Sequence, residues 1–176
     1  VTWNGTVNNE GVGSVTVPSL NTGNYTAEIK YIGNNNYNGS ELLVNFTVTK
    51  ATIDPDDVKV DIINSTYGNV TIEVTVPSDA TGNITITIDG ENFTAPIING
   101  TAIFDLGNNV TAGDHNITVN YPGDDNYNNV TKETNITVEK GTINPDDVKV
   151  DIINSTYGNV TIEVTVPSDA TGNITI

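Results

Sequence analysis

Residues 61–86 read DIINSTYGNVTIEVTVPSDATGNITI, and the same 26 residues return letter for letter at 151–176. The two copies lie 90 residues apart, and the similarity extends back to residues 51 and 141. A fixed period of this length indicates a chain built from repeated units, which is how proteins form stalks and fibres rather than pockets. We therefore expect the 176 residues to hold two domain equivalents, each large enough to fold on its own.

Apolar residues in the quoted stretch alternate with Thr, Asn and charged residues, and the alternation continues to Lys140. Period two is typical of strands with one buried and one solvated face. The expected strands lie at 58–62, 70–76, 84–88, 93–98, 102–106, 117–121 and 130–138, separated by turn signals such as Asp89-Gly90. This spacing predicts an all-β fold, an immunoglobulin-like (Ig-like) Greek-key sandwich. Another small antiparallel barrel is the alternative.

The first 50 residues align with the second half of the central unit, with Tyr25 on His115, Tyr31 on Tyr121 and Tyr37 on Tyr127. We expect residues 1–50 to be the C-terminal part of one repeat, 51–140 a complete repeat, and 141–176 the N-terminal part of the next. Joined head to tail, the two partial repeats would make one whole domain. Each unfinished sheet is expected to be completed by adjoining chain, either a covalent continuation or strands of the next copy.

The runs TAGDHNITVNYPGDDNYNNVTKETNITVEK and TGNYTAEIKYIGNNNYNGSELLVNFTVTK resemble the closing half of the bacterial and archaeal Ig-like repeat family. The likeness is to a Gly-x-(Tyr/His) start, a Tyr-x-Gly-(Asp/Asn)-x-Asn-Tyr loop and a final strand ending in Lys. The resemblance implies long tandem arrays on cell surfaces, and the acidic, Asn- and Thr-rich style is similar to methanogen adhesin-like proteins. His115, where the first unit has Tyr25, departs from the tyrosine that would lock the turn into that strand.

Charge and composition exclude several classes of function. The formal net charge is −16, with six lysines and no arginine, so neither nucleic acid nor an anionic membrane is expected as a partner. The chain has no cysteine and therefore no disulfide. No apolar stretch of roughly 20 residues predicts membrane insertion, and no signal peptide is visible. We interpret the chain as a window of a longer secreted polypeptide, located outside the cell at its surface.

Asn-x-Ser/Thr triplets are the strongest chemical signal, because they occur sixteen times where random order would give about five. We expect N-glycosylation at several of them, with Asn64, Asn69, Asn92, Asn116 and Asn135 favoured because their side chains should be free of the core. The other triplets begin at Asn4, Asn24, Asn38, Asn45, Asn83, Asn99, Asn109, Asn129, Asn154, Asn159 and Asn173.

Two acidic clusters are calcium candidates, since Ca²⁺ binds six to eight oxygens in flexible geometry. They are formed by Asp54, Asp56 and Asp57, and by Asp124 and Asp125. Asp-Pro turns explain the first cluster equally well. An isopeptide bond is not expected at Lys59 or Lys149, because these lysines alternate with inward residues and should point outward.

No catalytic site or cofactor is expected. His115 is the one histidine, its position faces inward, and no Ser/His/Asp set can be assembled in the second half-domain, which lacks any histidine. Its expected role is that of a partly buried hydrogen-bonding residue.

The preferred function is structural: a segment of an extracellular, N-glycosylated stalk, filament or adhesin that contacts neighbouring repeats or copies of itself, with any host-cell or cell-surface ligand at a distant tip. The alternative is a carbohydrate- or protein-binding module acting through loops at one end of the sandwich. That alternative requires exposed aromatic residues to cluster there, and the candidates are Trp3, Tyr37, Tyr67, Tyr127 and Tyr157. Tyr37 and Tyr127 are expected to pack under their own loops.

Overall fold

The computed structural model describes residues 2–176, and across them the regular structure is eleven β-strands and two single turns of 3₁₀ helix. The strands are β1 (Gly23–Gly33), β2 (Asn38–Val48), β3 (Lys59–Thr66), β4 (Asn69–Thr75), β5 (Asn83–Ile88), β6 (Glu91–Pro96), β7 (Thr101–Gly107), β8 (Gly113–Tyr121), β9 (Val130–Val138), β10 (Lys149–Thr156) and β11 (Asn159–Thr165). The 3₁₀ turns span Pro55–Asp57 and Pro145–Asp147. The prediction of an all-β fold is confirmed.

Strands β3 to β9 form a sandwich of two antiparallel sheets. One sheet has the order β3-β4-β7 and the other the order β6-β5-β8-β9. Consecutive strands cross between the sheets three times, from β4 to β5, from β6 to β7 and from β7 to β8, which gives the predicted Greek-key connectivity. In the constant-type Ig arrangement the fourth strand lies in the sheet of the first two. Here that strand, β6, pairs with β5 in the larger sheet.

The core lies between these two sheets because alternate side chains of each strand point inward. In β4, Val70, Ile72 and Val74 are buried, while Thr71 and Glu73 are only half-buried. The apolar residues of the core are Ile53, Val58, Val70, Ile72, Val74, Val76, Ala80, Ile84, Ile86, Ile88, Ala95, Ala102, Phe104, Leu106, Val110, Ile117, Val119, Tyr121, Val130, Ile136 and Val138.

The chain enters and leaves the sandwich at opposite ends. At the entry end, Ala51 forms a parallel bridge with Tyr127 in the loop between β8 and β9. At the exit end, Thr66 forms a parallel bridge with Glu139, which follows β9. The β3–β4 turn therefore lies at the exit end, and the β4–β5 and β8–β9 loops lie at the entry end. The points at which the chain enters and leaves the sandwich therefore lie at opposite ends of it.

Two further hairpins flank the sandwich. Strands β1 and β2 pair from Gly23↔Val48 to Gly33↔Asn38, and β10 pairs with β11 in the same register as β3 with β4. Neither hairpin is joined by strand pairing to a third strand among the described residues. Their apolar side chains are exposed: Ile29, Leu42 and Leu43 on β1–β2, and Val150, Ile152 and Val160 on β10–β11.

Candidate functional site

Asp124 organises the entry end of the sandwich. Its Oδ1 accepts hydrogen bonds from the backbone N–H of Asn126 (2.8 Å) and of Tyr127 (2.9 Å). Its Oδ2 accepts from the N–H (2.8 Å) and the hydroxyl (3.0 Å) of Thr81 in the β4–β5 loop. Burial alone would raise the pKa of Asp124, but these donors together hold it well below its usual range. One carboxylate thus ties the two entry-end loops together.

The segment before the sandwich is bonded to the same loop. Asn126 Oδ1 accepts from the backbone N–H of Thr22 at 3.0 Å, and the Asn126 carbonyl accepts from the N–H of Ala51 at 2.8 Å. The N–H of Asn128 in turn donates to the Ala51 carbonyl at 2.9 Å, and Lys50 Nζ donates to the carbonyl of Asp124. The short connection between the first hairpin and the sandwich is therefore held by backbone bonds.

A tyrosine and an aspartate form a bond at each end. At the entry end, the Tyr127 hydroxyl donates to Asp79 Oδ1 at 2.7 Å, and this bond raises the pKa of Tyr127. At the exit end, the Tyr67 hydroxyl donates to Asp169 Oδ2 at 2.7 Å. That bond raises the pKa of Tyr67 and lowers the pKa of Asp169, because the donor stabilises the charged carboxylate.

The exit-end bond links the sandwich to the segment that follows it, since Asp169 comes after β11. The backbone is tightly packed here as well: a Cβ at Gly141 would lie 2.9 Å from the carbonyl oxygen of Tyr67. These tyrosine–aspartate bonds were not predicted from the sequence. The signal that could have found them is the recurrence of Tyr and Asp at the same offsets in both copies.

His115 is buried, as predicted, and it makes the turn-locking bond that its replacement of tyrosine had placed in doubt. Its Nε2 lies 2.8 Å from the carbonyl of Thr111, four residues upstream. In the first hairpin, the hydroxyl of Tyr25 donates at 2.7 Å to the carbonyl of Asn21, also four residues upstream. This is the geometry of the tyrosine corner of Ig-type sandwiches. The two residues therefore perform the same structural task.

The second ring nitrogen of His115 contacts a carboxylate. Nδ1 lies 2.6 Å from Asp89 Oδ2, in the turn between β5 and β6. His115 thus joins the β5–β6 turn to the start of β8.

Tyr121 is the other buried polar residue near the site. Its side chain is fully buried, and its hydroxyl has no hydrogen-bond partner of good geometry. Burial raises the pKa of Tyr121, and the charge of the nearby Asp124 adds to the rise. The hydroxyl is therefore in its neutral form at neutral pH.

The calcium candidates do not converge. The side chain of Asp54 accepts from the N–H of Asp56 at 3.0 Å and so caps the 3₁₀ turn, and Asp57 belongs to the same turn. The Asp124 oxygens are bonded to protein donors, and Asp125 is exposed. Among residues 2–176, no group of three or more His, Cys, Asp or Glu side chains is placed to hold a metal ion.

The glycosylation candidates lie at the surface. Fourteen of the sixteen asparagines are exposed, and Asn64 and Asn154 are half-buried. Asn64 Oδ1 accepts from the N–H of Thr66 at 2.9 Å, which leaves free the amide nitrogen to which a glycan is attached. Asn116 and Asn135 face one another directly across β8 and β9, on the outer surface of the larger sheet.

The aromatic candidates do not gather at one end of the sandwich. Tyr127 is at the entry end and packs against the core as expected, whereas Tyr67 is at the exit end. The expectation for Tyr37 was wrong: its side chain is 70% exposed, because β1–β2 has no covering sheet. Trp3 is exposed, and Tyr157 is fully exposed.

Comparison with known families bears on the sandwich. Residues 62–139 match the bacterial Ig-like domain (group 3). The match begins within β3 and ends just after β9, so it covers the Ig-like sandwich but neither terminal hairpin. It supports an Ig-like domain of bacterial type, a kind of module with surface or structural roles that is generally not enzymatic. No curated protein and no solved structure is significantly similar to the chain.

Two further findings concern the surroundings of the Ig-like sandwich. Within residues 2–176, no helix has the length and apolarity that a membrane span requires. A shallow depression on β1–β2 is lined by Tyr25 and Phe46, whose rings stack with centroids 5.6 Å apart. Their counterparts in the Ig-like sandwich, His115 and Ile136, are paired in the same way and buried. The Tyr25–Phe46 face of β1–β2 is therefore equivalent to a face that is buried in the sandwich.

Proposed function

We propose that the chain is a structural segment of an extracellular stalk, filament or adhesin at the cell surface, built from Ig-like repeats at 1–50, 51–140 and 141–176. The observation that carries this proposal is the placement of the two junctions. The chain enters the sandwich beside Tyr127 and leaves it beside Thr66, at the opposite end. Repeats connected in this way add length with each unit.

Bonds across both junctions support a load-bearing role. At the first junction Asn126 accepts from Thr22, and at the second Asp169 accepts from Tyr67. These two bonds join the sandwich to the segments on either side of it, as expected for units with a preferred relative placement. We expect such a segment to transmit position and force from the surface to a distant tip.

Charge and glycosylation fit the same role. A net charge of −16 keeps a repetitive β protein soluble and discourages lateral association. Glycans on the exposed asparagines would further shield the outer sheet faces, among them those of Asn116 and Asn135. The placement of the aromatic residues gives no support to a ligand-binding module at one end, because Tyr67 and Tyr127 lie at opposite ends.

Solution scattering of chains fused in tandem tests the stalk. Two and three copies of the 176-residue sequence are joined end to end, and their radii of gyration are compared with that of one copy. A stalk predicts growth close to proportional to the number of copies. Growth near the power of about 0.38 that compact proteins follow would exclude it.

Peptide mapping of material secreted by a glycosylating host tests the glycans. We expect glycan mass on Asn116, Asn135 or both, together with other exposed triplets. Peptides that all carry only their unmodified mass would refute the glycoprotein part of the proposal.

A further inference from the structure

Strand β6 forms a free edge of the larger sheet. Among residues 2–176 it pairs with β5 and with no other strand. Hydrogen bonding alternates from residue to residue along an antiparallel pair. Just beyond β6, the N–H of Ile97 donates to the carbonyl of Gly82 at 2.9 Å, so the odd-numbered residues of β6 bond to β5. The backbone N–H and C=O groups of Asn92 and Thr94 therefore point away from the sheet.

The other edges of the sandwich carry features that oppose the addition of a strand. In β9, Lys132 lies on the inward-facing side, and its Nζ donates to the carbonyl of Pro55 at 2.8 Å. In β7, the N–H and C=O of Thr101 already bond to Ile98, at 3.1 and 2.8 Å. Strand β3 contains a bulge after Ile62. Inward charges, bulges and short free segments are devices by which proteins protect sheet edges.

The edge of β6 has a different surface. Residues 92–96 read NFTAP and carry no charge. Asn92 and Thr94 are exposed on the outer face, where Asn92 Oδ1 accepts from Thr87 Oγ1 at 2.7 Å. Phe93, on the inner face, packs against the core but is only half-buried. An uncharged edge with free backbone groups is a template for another strand.

A second β6 strand is complementary to this edge. In an antiparallel pair with a two-fold axis at Phe93, Asn92 of each copy lies opposite Thr94 of the other, and each such pair exchanges two backbone hydrogen bonds. The two Phe93 side chains lie opposite one another on the inner face, a favourable pairing for aromatic residues. Glu91 lies opposite Ala95, so the strands bring no two carboxylates together. The edge therefore fits a second copy of itself.

The same edge carries a glycosylation triplet at its centre, Asn92-Phe93-Thr94. The bond from Thr87 uses Asn92 Oδ1 and leaves free the amide nitrogen to which a glycan is attached. Neighbouring strands lie about 4.8 Å apart, and the residue that an incoming strand places opposite Asn92 presents its side chain on the same face. A glycan on Asn92 would occupy that space.

We propose that β6 is a lateral contact surface between two copies of the chain, and that a glycan on Asn92 closes it. Glycosylated stalks then stay separate, while copies that lack this glycan pair side by side through β6. This inference rests on the proposed glycosylation of the chain. A net charge of −16 opposes the approach of two copies and is screened by salt, so pairing of unglycosylated copies should strengthen with added salt.

Cysteine cross-linking tests the pairing and its register. The chain has no cysteine, so Asn92→Cys and Thr94→Cys each introduce a single thiol into the full chain, produced in a host that does not glycosylate. Mixed in equal amounts under mild oxidation, the two variants should form a disulfide-linked heterodimer, and each alone should cross-link several-fold less. Thr85→Cys mixed with Thr94→Cys is the matched control, because Thr85 lies on the inner neighbour β5 and is out of reach of a second copy.

Removal of single glycans tests the control of the edge. In protein from a glycosylating host, Asn92→Gln should strengthen self-association about tenfold or more in sedimentation velocity. Asn116→Gln is the matched control, because Asn116 lies in β8, which has a strand on both sides. Adding Thr94→Pro to Asn92→Gln should reverse the effect, since proline removes an N–H that faces the free edge and keeps the bonds to β5. Circular dichroism checks that the double variant is folded.

Each outcome decides a part of the inference. Dimers that lack the cross-link between positions 92 and 94 would overturn the lateral contact. Equal self-association of Asn92→Gln and the glycosylated chain would overturn its control by the glycan, as would an unmodified Asn92 in a chain glycosylated at other sites. A chain without glycans at any site would refute the glycoprotein proposal itself, while cross-linking would still decide the contact and the scattering of fused copies the stalk.

Discussion

Strand pairs β3–β4 and β10–β11 have the same sequence and the same pairing but opposite surroundings. Both pair from a Lys to a Thr, and both contain a register shift at the equivalent place, between Ile62 and Asn64 and between Ile152 and Asn154. Yet Val70 is completely buried, whereas its equivalent Val160 is 65% exposed. The hairpin is thus a property of the local sequence, and burial is a property of what packs on it.

A second pair of regions, the β8–β9 and β1–β2 loops, shows how one atom changes a role. Asp124 and its equivalent Asn34 both accept two backbone N–H bonds through Oδ1. Only Asp124 has a second acceptor oxygen, and it uses that oxygen for Thr81 in the opposite loop. The conformation of the loop needs only one side-chain acceptor oxygen, whereas the hydrogen bonds between the two loops need the second oxygen of a carboxylate.

The same substitution in the two equivalent strands should have the largest difference in effect. Ile72→Ala removes a fully buried side chain and should lower the free energy of unfolding by about 2–5 kcal/mol. Ile162→Ala, in β11, should lower the free energy of unfolding by less than about 1 kcal/mol in the monomer. Among residues 2–176 no second sheet encloses Ile162, so its truncation leaves little cavity. Urea denaturation of dilute protein measures both. Equal losses would show that β11 is covered in the monomer.

Asp124→Asn should separate the loop from the tie between loops. The amide oxygen can keep the Asn126 and Tyr127 bonds, as Asn34 does in its loop, but the amide nitrogen cannot accept from Thr81. We expect a loss of about 1–3 kcal/mol in the free energy of unfolding. Denaturation at neutral pH measures this loss, and Asn34→Asp, in a loop with no opposite partner, is the control.

Acid should remove the stability that the Asp124 carboxylate contributes relative to the amide of Asp124→Asn. Because the pKa of Asp124 is lowered in the folded protein, its contribution is present above the ordinary carboxyl value of about 3.9 and is lost as the pH falls through the folded value. The difference in stability between the unaltered protein and Asp124→Asn should therefore shrink in acid. A difference that is constant with pH would contradict the role of the charged carboxylate.

His115 and Tyr25 make equivalent hydrogen bonds in their units, so replacing one residue type by the other tests what the corner requires. His115→Tyr should keep the bond to the Thr111 carbonyl and remain within about 1 kcal/mol of the unaltered protein. His115→Phe has the ring but no donor, and it should cost about 1–3 kcal/mol through the loss of two hydrogen bonds, one of them to the Asp89 carboxylate. Thermal unfolding of both variants measures the difference. Similar values for the two would show that the ring packs without needing its bonds.

Tyr67→Phe should have the smallest effect, because the Tyr67–Asp169 bond is solvent-exposed. Stability should hardly change, but the pKa of Asp169, which the Tyr67 hydroxyl lowers, should rise towards its ordinary value. Carboxyl chemical shifts followed by NMR through a pH titration report this directly. Tyr157→Phe is the control in dilute protein. If Tyr67→Phe left the titration of Asp169 unchanged, the exit-end bond would not form in solution.

Much of the fold could be predicted from the sequence because strand alternation and turn residues are local signals. Pleating fixes which side chains share a face, so the inward residues of β4 and β8 could be assigned before any contact was known. The bonds of the candidate site were harder to predict from the sequence, because Tyr67 and Asp169 are 102 residues apart. No local pattern links such residues, and the Tyr37 prediction was wrong for a related reason: its cover would come from other strands.

Local sequence and composition account for the strands, the shared register of β3–β4 and β10–β11, the repeat of 90 residues and the acidic surface. Each of these depends on neighbouring residues or on composition alone. Contacts between distant segments were needed to show that β3–β4 packs in a core while β10–β11 is exposed, that His115 can replace a tyrosine, and that the tyrosine–aspartate pairs lie at opposite ends. These outcomes depend on distant segments meeting in space, because burial and hydrogen bonding are set by the partner as much as by the residue.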